Sequence, residues 1–175
     1  MAPVAELKMS LEDFHARYDG EKPYFEYWDG EALQKAGPTF LHGLIQKVVS
    51  FLLDELGYES ACEVTLKLVD QYQSVTDVIA VGCSAGDVYP TQPFEVVVEI
   101  LSPLDSFSRV LKKCHLYEQW GIRQIVIVDP QERRIWLYEN GAPRPAEIIA
   151  RRGDRSISAA QLWAEVDRRL AKLNS

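Results

Sequence analysis

The chain has 175 residues, 47% of them apolar and four of them Trp, which suffices for one sizeable core and points to a single domain over 1–175. Its 26 acidic against 19 basic residues leave a net charge of −7, which argues against a nucleic-acid coat protein or chaperone because phosphate binding runs on Lys and Arg. An enzyme with a local basic patch stays compatible with that charge, and clustered metal-binding carboxylates would add to it.

No stretch approaches the roughly 18 consecutive apolar residues of a membrane span. The start, "MAPVAELKMSLEDF", lacks an apolar run after its charges, so no secretory leader is expected. Cys62, Cys83 and Cys114 are odd in number and scattered, a pattern of reduced thiols that predicts a cytoplasmic protein without structural zinc.

In chain order, Leu7 to Tyr18 reads as a short amphipathic helix capped by Ser10. "YFEYWDGEALQKA" places strand-like runs around Asp29-Gly30, a hairpin signal because both turn positions need positive φ. "PTFLHGLIQKVVSFLLDELG" is the clearest helix: Leu41, Leu44, Ile45, Val48, Val49, Leu52, Leu53 and Leu56 form one stripe, with Thr39 to cap its start and Gly57 its end. Val64 to Leu68 alternates as a half-buried strand, "VDQYQS" reads as a turn and "SVTDVIAVG" as a second strand. "VGCSAGDVYPTQP" reads as a loop and "FEVVVEIL" as a third strand, ended by Ser102-Pro103. Ser106 to Trp120 then reads as a helix closed by Gly121, "IRQIVIVDP" as a fourth strand, "RRIWLYENG" as a fifth and "AEIIA" as a sixth. A Ser158-x-x-Gln161 capping box opens the last helix. From Thr39 on, the order is helix, three strands, helix, strand. The third and fourth strands flank a helix and should run parallel, in an α/β (α+β) sandwich of helices against a mixed sheet.

Two charges do not belong in this pattern. Glu99 interrupts the apolar run of "FEVVVEIL", and Asp77 interrupts "SVTDVIAV" one strand earlier. A buried carboxylate is costly unless it is paired. One partner that would serve both is a divalent cation such as Mg²⁺ or Mn²⁺, held by one or two carboxylates with waters and substrate phosphate. The alternatives stay open: Glu99 pairs with Lys113 or Lys112, Asp77 is a turn acid, Glu31 after the hairpin is solvated, Lys113 is a surface lysine, and His42 is a capping residue. Residue spacing alone does not name a reaction.

"YFEYWDGEALQKAGPTFLHGLI", "VTDVIAV", "VVVEILSP", "KKCHLYEQWGIRQIVIVDP" and "RRIWLYENG" stand in an order that resembles the bacterial Uma-type family of restriction-endonuclease-like proteins. That family was formerly a domain of unknown function and lies within the PD-(D/E)XK nuclease superfamily, whose core is helix, three strands, helix, strand. The resemblance implies a Mg²⁺- or Mn²⁺-dependent endonuclease acting on DNA. It casts Asp77 and Glu99 as metal ligands, Glu31 as a further ligand, direct or through water, and His42 as a residue facing phosphate. Lys113 would stand in for the superfamily's strand lysine, and Ser102 would hold the turn beneath the site. Three positions depart from the pattern: Thr76 replaces a Pro before the Asp, Leu101 replaces the lysine after the Glu, and Arg109 replaces an Asp four residues before Lys113. Arg109 shares a helix face with Lys113 and adds positive charge that suits phosphate.

The expected chemistry is phosphodiester hydrolysis, with the metal activating water and Lys113 offsetting charge on the transition state. Two rival readings remain: a non-catalytic nuclease-fold module that dimerises or binds a partner, and a hydrolase of a small phosphoester. A homodimer using Tyr24, Phe25, Tyr27 and Trp28 as its interface is compatible with the sequence, as is burial of those rings in a core.

Overall fold

The computed structural model describes residues 8–20, 22–35, 37–69, 71–82, 92–103 and 105–173. The elements are α1 (Leu11–Tyr18), β1 (Phe25–Trp28), β2 (Glu31–Gln34), α2 (Phe40–Leu56), β3 (Glu59–Cys62), β4 (Thr65–Val69), β5 (Tyr72–Val75), β6 (Val78–Val81), β7 (Val96–Ile100) and α3 (Phe107–Trp120), followed by β8 (Gln124–Asp129), β9 (Arg134–Glu139), β10 (Ala142–Pro145), β11 (Ile148–Arg152), β12 (Arg155–Ser158) and α4 (Ala159–Ala171). Most of the loop expected over 81–93, with Cys83, lies outside the described residues.

A six-stranded sheet runs β10-β9-β8-β7-β6-β3, and a four-stranded sheet runs β2-β1-β5-β4. In the larger sheet β7 and β8 are parallel, joined through α3 as the strand–helix–strand pattern requires, and the remaining neighbours are antiparallel. The strands of this sheet that lie between α2 and α3 are β3, β6 and β7, so it carries a helix–three strands–helix–strand core.

That core is not composed as the sequence suggested. Val64–Leu68 was expected as its first strand, but β4 belongs to the smaller sheet, and the core's first strand is β3. β3 is a short, largely exposed edge strand without apolar alternation, which is why its sequence is silent. "VDQYQS" is not merely a turn, because Tyr72–Val75 forms β5. "SVTDVIAVG" is two strands, β5 in one sheet and β6 in the other, broken at Thr76-Asp77. The break is held by backbone bonds: Thr76 N donates to Val64 O at 3.0 Å, and Glu63 N donates to Asp77 O at 3.2 Å. A Pro at 76, the residue the resemblance led one to expect, could not make the first of these. β10 and β12 were also unread; each is a short return strand next to a glycine-containing turn, Asn140-Gly141 and Gly153-Asp154.

α2 and α4 cover one face of the larger sheet, where Ile45, Val48, Leu53 and Leu162 meet Val78, Val96, Val98 and Val126. The other face carries Val97, Ile79, Ile125 and Ile127 against Val110, Cys114 and Tyr117 of α3, with Leu66 and Leu68 of β4. The hairpin aromatics are used within the chain. Tyr27 and Trp28 are buried, Phe14 lies 5.3 Å from Tyr27, and Phe25 lies 4.4 Å from Tyr18. This packing within the chain accounts for Phe25, Tyr27 and Trp28.

The caps are where the sequence placed them. Asp29 and Gly30 both have positive φ, 47° and 93°, as a two-residue hairpin turn demands. Thr39 accepts from His42 N at the start of α2, and Gly57 is left-handed at its end. Leu53→Ala, at a fully buried position of α2, is expected to cost about 2–5 kcal/mol in urea unfolding, while Phe40→Ala at an exposed position of the same helix should cost less than about 1 kcal/mol; equal losses would contradict this packing.

Candidate functional site

A cleft lies where the ends of β2, β6 and β7 meet the first turns of α2 and α3. It is lined by Glu26, Gln34, Lys35, His42, Asp77, Glu99, Ser102, Asp105, Ser106, Arg109, Val110 and Lys113. Six of the seven residues given a role from the sequence are therefore brought together: Asp77, Glu99, Lys113, His42, Arg109 and Ser102. The seventh is not. Glu31 is exposed beside the hairpin turn, opposite Trp28. The end of β2 that reaches the cleft is Gln34, three residues and about 10 Å further along the strand. The acid that the hairpin delivers is Glu26, from the neighbouring strand.

Asp77 sits at the sheet-to-sheet break. Its Oδ2 accepts from Ile100 N of β7 at 2.7 Å. Its Oδ1 lies 2.8 Å from Lys35 Nζ and 3.3 Å from His42 Nε2, yet neither approach has the directionality of a hydrogen bond, and Asp77 Oδ1 and His42 Nε2 are both buried without a hydrogen-bond partner. Burial alone would raise the Asp77 carboxyl, but His42 and Lys35 more than offset this and hold it well below the usual carboxylate range.

Glu99 already has partners. Lys113 Nζ donates to Glu99 Oε2 at 2.8 Å and Tyr117 Oη donates to Glu99 Oε1 at 2.7 Å. Lys113 also lies 3.0 Å from Glu26 Oε1 and donates to Val75 O at 3.1 Å. Two of its three N–H donors make those hydrogen bonds, the ammonium pairs in charge with Glu26 as well, and Lys113 is buried, not a surface lysine. One cation thus serves two carboxylates. Glu26 also accepts from Val75 N at 3.0 Å, Ser74 Oγ at 3.1 Å and Trp28 Nε1 at 3.1 Å. Burial opposes its ionisation, but Lys113 and the Val75 N–H hold its carboxyl below the ordinary value. Glu99 has fewer donors and feels the Asp77 charge as well. Burial, only partly countered by Lys113, pushes it up to about 7. Lys113 itself is held well above its ordinary value, because Glu26 and Glu99 outweigh its own burial.

His42 does not face outward toward a phosphate, as was expected. Its Nε2 points at Asp77, and its Nδ1 shares a hydrogen bond with Ser102 Oγ at 3.1 Å. Ser102 N in turn accepts the constraint of the turn by donating to Asp105 Oδ2 at 2.7 Å. The exposed cation at the cleft is Arg109. Lys35, half-buried, approaches Glu63 Oε1 at 3.3 Å and Thr76 O at 3.5 Å besides Asp77.

Glu26 and Lys35 were missed from the sequence. Glu26 had a signal: an acid between Phe25 and the buried pair Tyr27 and Trp28 is the same anomaly as Glu99 in its strand. Lys35 had none, because its reach depends on the hairpin closing with Lys35 N on Tyr24 O at 2.8 Å.

A divalent cation fits one part of this cleft. Asp77 Oδ1 and His42 Nε2 are buried atoms without a hydrogen bond, Asp77 Oδ1 being paired only in charge with Lys35, and a metal would satisfy both. Among the described residues, no three or more His, Cys, Asp or Glu side chains converge as a closed metal cage. Mg²⁺, however, is commonly held by only one or two carboxylates plus waters.

Residues 11–168 match the model of a protein family, Uma2, described as "Putative restriction endonuclease". The chain belongs to the Uma2 family. A crystal structure of "a putative nuclease belonging to DUF820" from Anabaena variabilis superposes over 90% of this chain and 99% of its own, with TM-score 0.78 and 17% sequence identity. At that identity the likeness establishes a shared fold. The cryo-EM structure of a DrdV–DNA complex aligns over 70% of this chain and 10% of its own, at TM-score 0.40 and 17% identity, which is too distant to bear on the site. No curated protein matches the chain. The fold and family expected from the sequence are therefore those of the Uma2 nuclease-like proteins.

Two outcomes follow from the buried charges. Lys113→Met should cost about 3–5 kcal/mol in urea unfolding, because it leaves Glu26 and Glu99 without their cation; a loss under about 1 kcal/mol would show the pairing to be dispensable. Glu99 in metal-free protein holds a proton in the folded state between its ordinary 4.5 and about 7. Its stabilising contribution is complete below the lower value and is lost as pH rises through the upper one. In EDTA, the stability of wild type relative to Glu99→Gln should therefore fall as pH rises across that window, and a rise would contradict the assignment.

Proposed function

We propose that this Uma2 protein is a metal-dependent endonuclease that hydrolyses DNA phosphodiester bonds, with Asp77 and Glu99 holding Mg²⁺ or Mn²⁺. The observation that carries the reading is Asp77: a buried acid at the junction of two sheets, with Oδ1 lacking a hydrogen bond, in a cleft where Glu26, Glu99 and Asp105 stand beside Lys35, Arg109 and Lys113. A metal bound there would polarise the phosphoryl oxygen and lower the pKa of a bound water.

The chain's own residues divide the remaining work. Asp77 is oriented by Ile100 N, which fixes one oxygen and leaves the other for the cleft. Lys113 is a positioning residue, because it hydrogen-bonds Glu99 and the end of β5 and is ion-paired with Glu26 while buried beneath the cleft. The cations available to a phosphate are Arg109 at the mouth and Lys35 inside it, where they would offset charge developing in the transition state. Lys35 takes over the part that Lys113 was expected to play opposite the nucleophile. The cleft, open to solvent at its mouth, has about 40 Å³ free for water-sized groups, room for about three waters. An ion fits within it, while a substrate must lie across the mouth. This favours an extended backbone over a small phosphoester swallowed by a pocket.

A second reading has one observation in its favour. Lys113 and Tyr117 satisfy Glu99 without a metal, as they would in a non-catalytic nuclease-fold module that binds a partner or a second copy of the chain.

Supercoiled plasmid incubated with the full chain and Mn²⁺ or Mg²⁺ separates the two. The wild type is expected to nick it, and Asp77→Asn to be slower by at least about 100-fold. Equal cutting by both proteins, or cutting by neither, would contradict the endonuclease reading.

A further inference from the structure

We infer that His42 is a metal ligand, with its Nε2 joining Asp77 Oδ1 in a mixed nitrogen–oxygen donor set that selects Mn²⁺ over Mg²⁺. This rests on the metal-dependent reading above. It departs from the expectation that His42 contacts phosphate and that the donor set is all oxygen.

Three observations carry it. First, Nε2 and Asp77 Oδ1 are both buried and both lack a hydrogen-bond partner. A histidine and an aspartate meeting to pair with one another would align N–H and oxygen; these lie 3.3 Å apart without that alignment. Two donors bound side by side to one ion are about 3 Å apart, given metal–ligand bonds of about 2.0–2.2 Å. The spacing therefore suits a shared cation better than a direct bond. Second, the other ring nitrogen is fixed. Nδ1 lies 3.1 Å from Ser102 Oγ, and Ser102 is itself anchored by the Asp105 carboxylate on its backbone N–H. Without an ion, a proton on Nε2 faces Asp77 and helps to hold that carboxyl low; an entering ion would take its place, with Nδ1–H then donating to Ser102 Oγ. Metal-bound histidines are held by their second nitrogen in this way. Third, Lys35 Nζ stands 2.8 Å from the same Asp77 Oδ1. An ammonium placed there neutralises the acid when no ion is bound. It also donates to Glu63 Oε1 at 3.3 Å and Thr76 O at 3.5 Å, which keep it in the cleft when an ion displaces it from Asp77 Oδ1.

The consequence is selectivity. Mg²⁺ demands oxygen ligands and sheds water reluctantly. Imidazole nitrogen favours first-row transition ions. A site with one imidazole therefore prefers Mn²⁺, and Lys35 competes with either ion.

The test is metal binding by the full chain, read without any substrate. Pulsed electron paramagnetic resonance of the Mn²⁺-loaded protein should show coupling to a histidine ¹⁴N, and this should vanish in His42→Asn, which keeps an amide near Ser102 but removes the Nε2 position. Calorimetry should show Mn²⁺ binding at least about tenfold tighter than Mg²⁺ in wild type. That ratio should collapse in His42→Asn, while Lys35→Met should tighten both ions. Bound Mn²⁺ without nitrogen coupling overturns this inference and leaves the endonuclease reading standing. No Mn²⁺ binding at millimolar concentration overturns both. Should His42→Asn fail to fold, the wild-type spectrum alone decides.

Discussion

Lys113 holds three parts of the molecule at one point. Its ammonium meets Glu26 from the hairpin, Glu99 from the larger sheet and the Val75 carbonyl at the end of β5. Each of those groups is buried, and each would be a liability without the others, since a buried charge is tolerated only when it is paired and hydrogen-bonded. The small sheet is thereby fastened to the large one on the α3 side. The same fastening sets the floor of the cleft, because the strand that ends at Val75 turns at Thr76 and presents Asp77 next.

Function and architecture meet at that turn. In a continuous strand Asp77 would be one more alternating side chain. Here the chain leaves one sheet and enters another, so Asp77 is caught between α2, β7 and the hairpin, with one oxygen fixed by Ile100 N and the other unbonded. Beside it, Ser74 Oγ lies 2.9 Å from Tyr117 Oη and 3.1 Å from Glu26 Oε1, joining the partners of Glu99 to those of Glu26. The unbonded side faces His42, Lys35 and the cleft. The site is thus rigid where it is anchored and unsatisfied where a ligand would enter, the combination that preorganised electrostatic sites require.

Much of this was legible because the sequence marks it by contradiction. Glu99 inside "FEVVVEIL" and Asp77 inside "SVTDVIAV" stand out against apolar neighbours, and both converge with Lys113, whose helix is plain from its spacing. The long helices were legible too, since Thr39, Gly57 and the Ser158-Gln161 box announce their ends. What was not legible depends on pairing between distant segments. Nothing in "YESAC" reveals that it supplies the first strand of the core, because an exposed edge strand needs no apolar face. The break at Thr76 is invisible because both halves read as strand. Glu31 was chosen over Glu26 because it follows the turn, while the hairpin register, Phe25 opposite Gln34, carries the other end of the hairpin to the cleft. His42 was placed at a helix start correctly, but which ring nitrogen faces which neighbour is a matter of tertiary contact.

The central claim is that the open side of Asp77 accommodates a divalent cation. An anomalous difference map from crystals of the full chain soaked in Mn²⁺ tests it directly. One peak is expected within coordination distance of Asp77 Oδ1, about 2.0–2.6 Å, with Lys35 displaced from that oxygen but still in the cleft. A map with no peak in the cleft, and Lys35 still against Asp77, would contradict it.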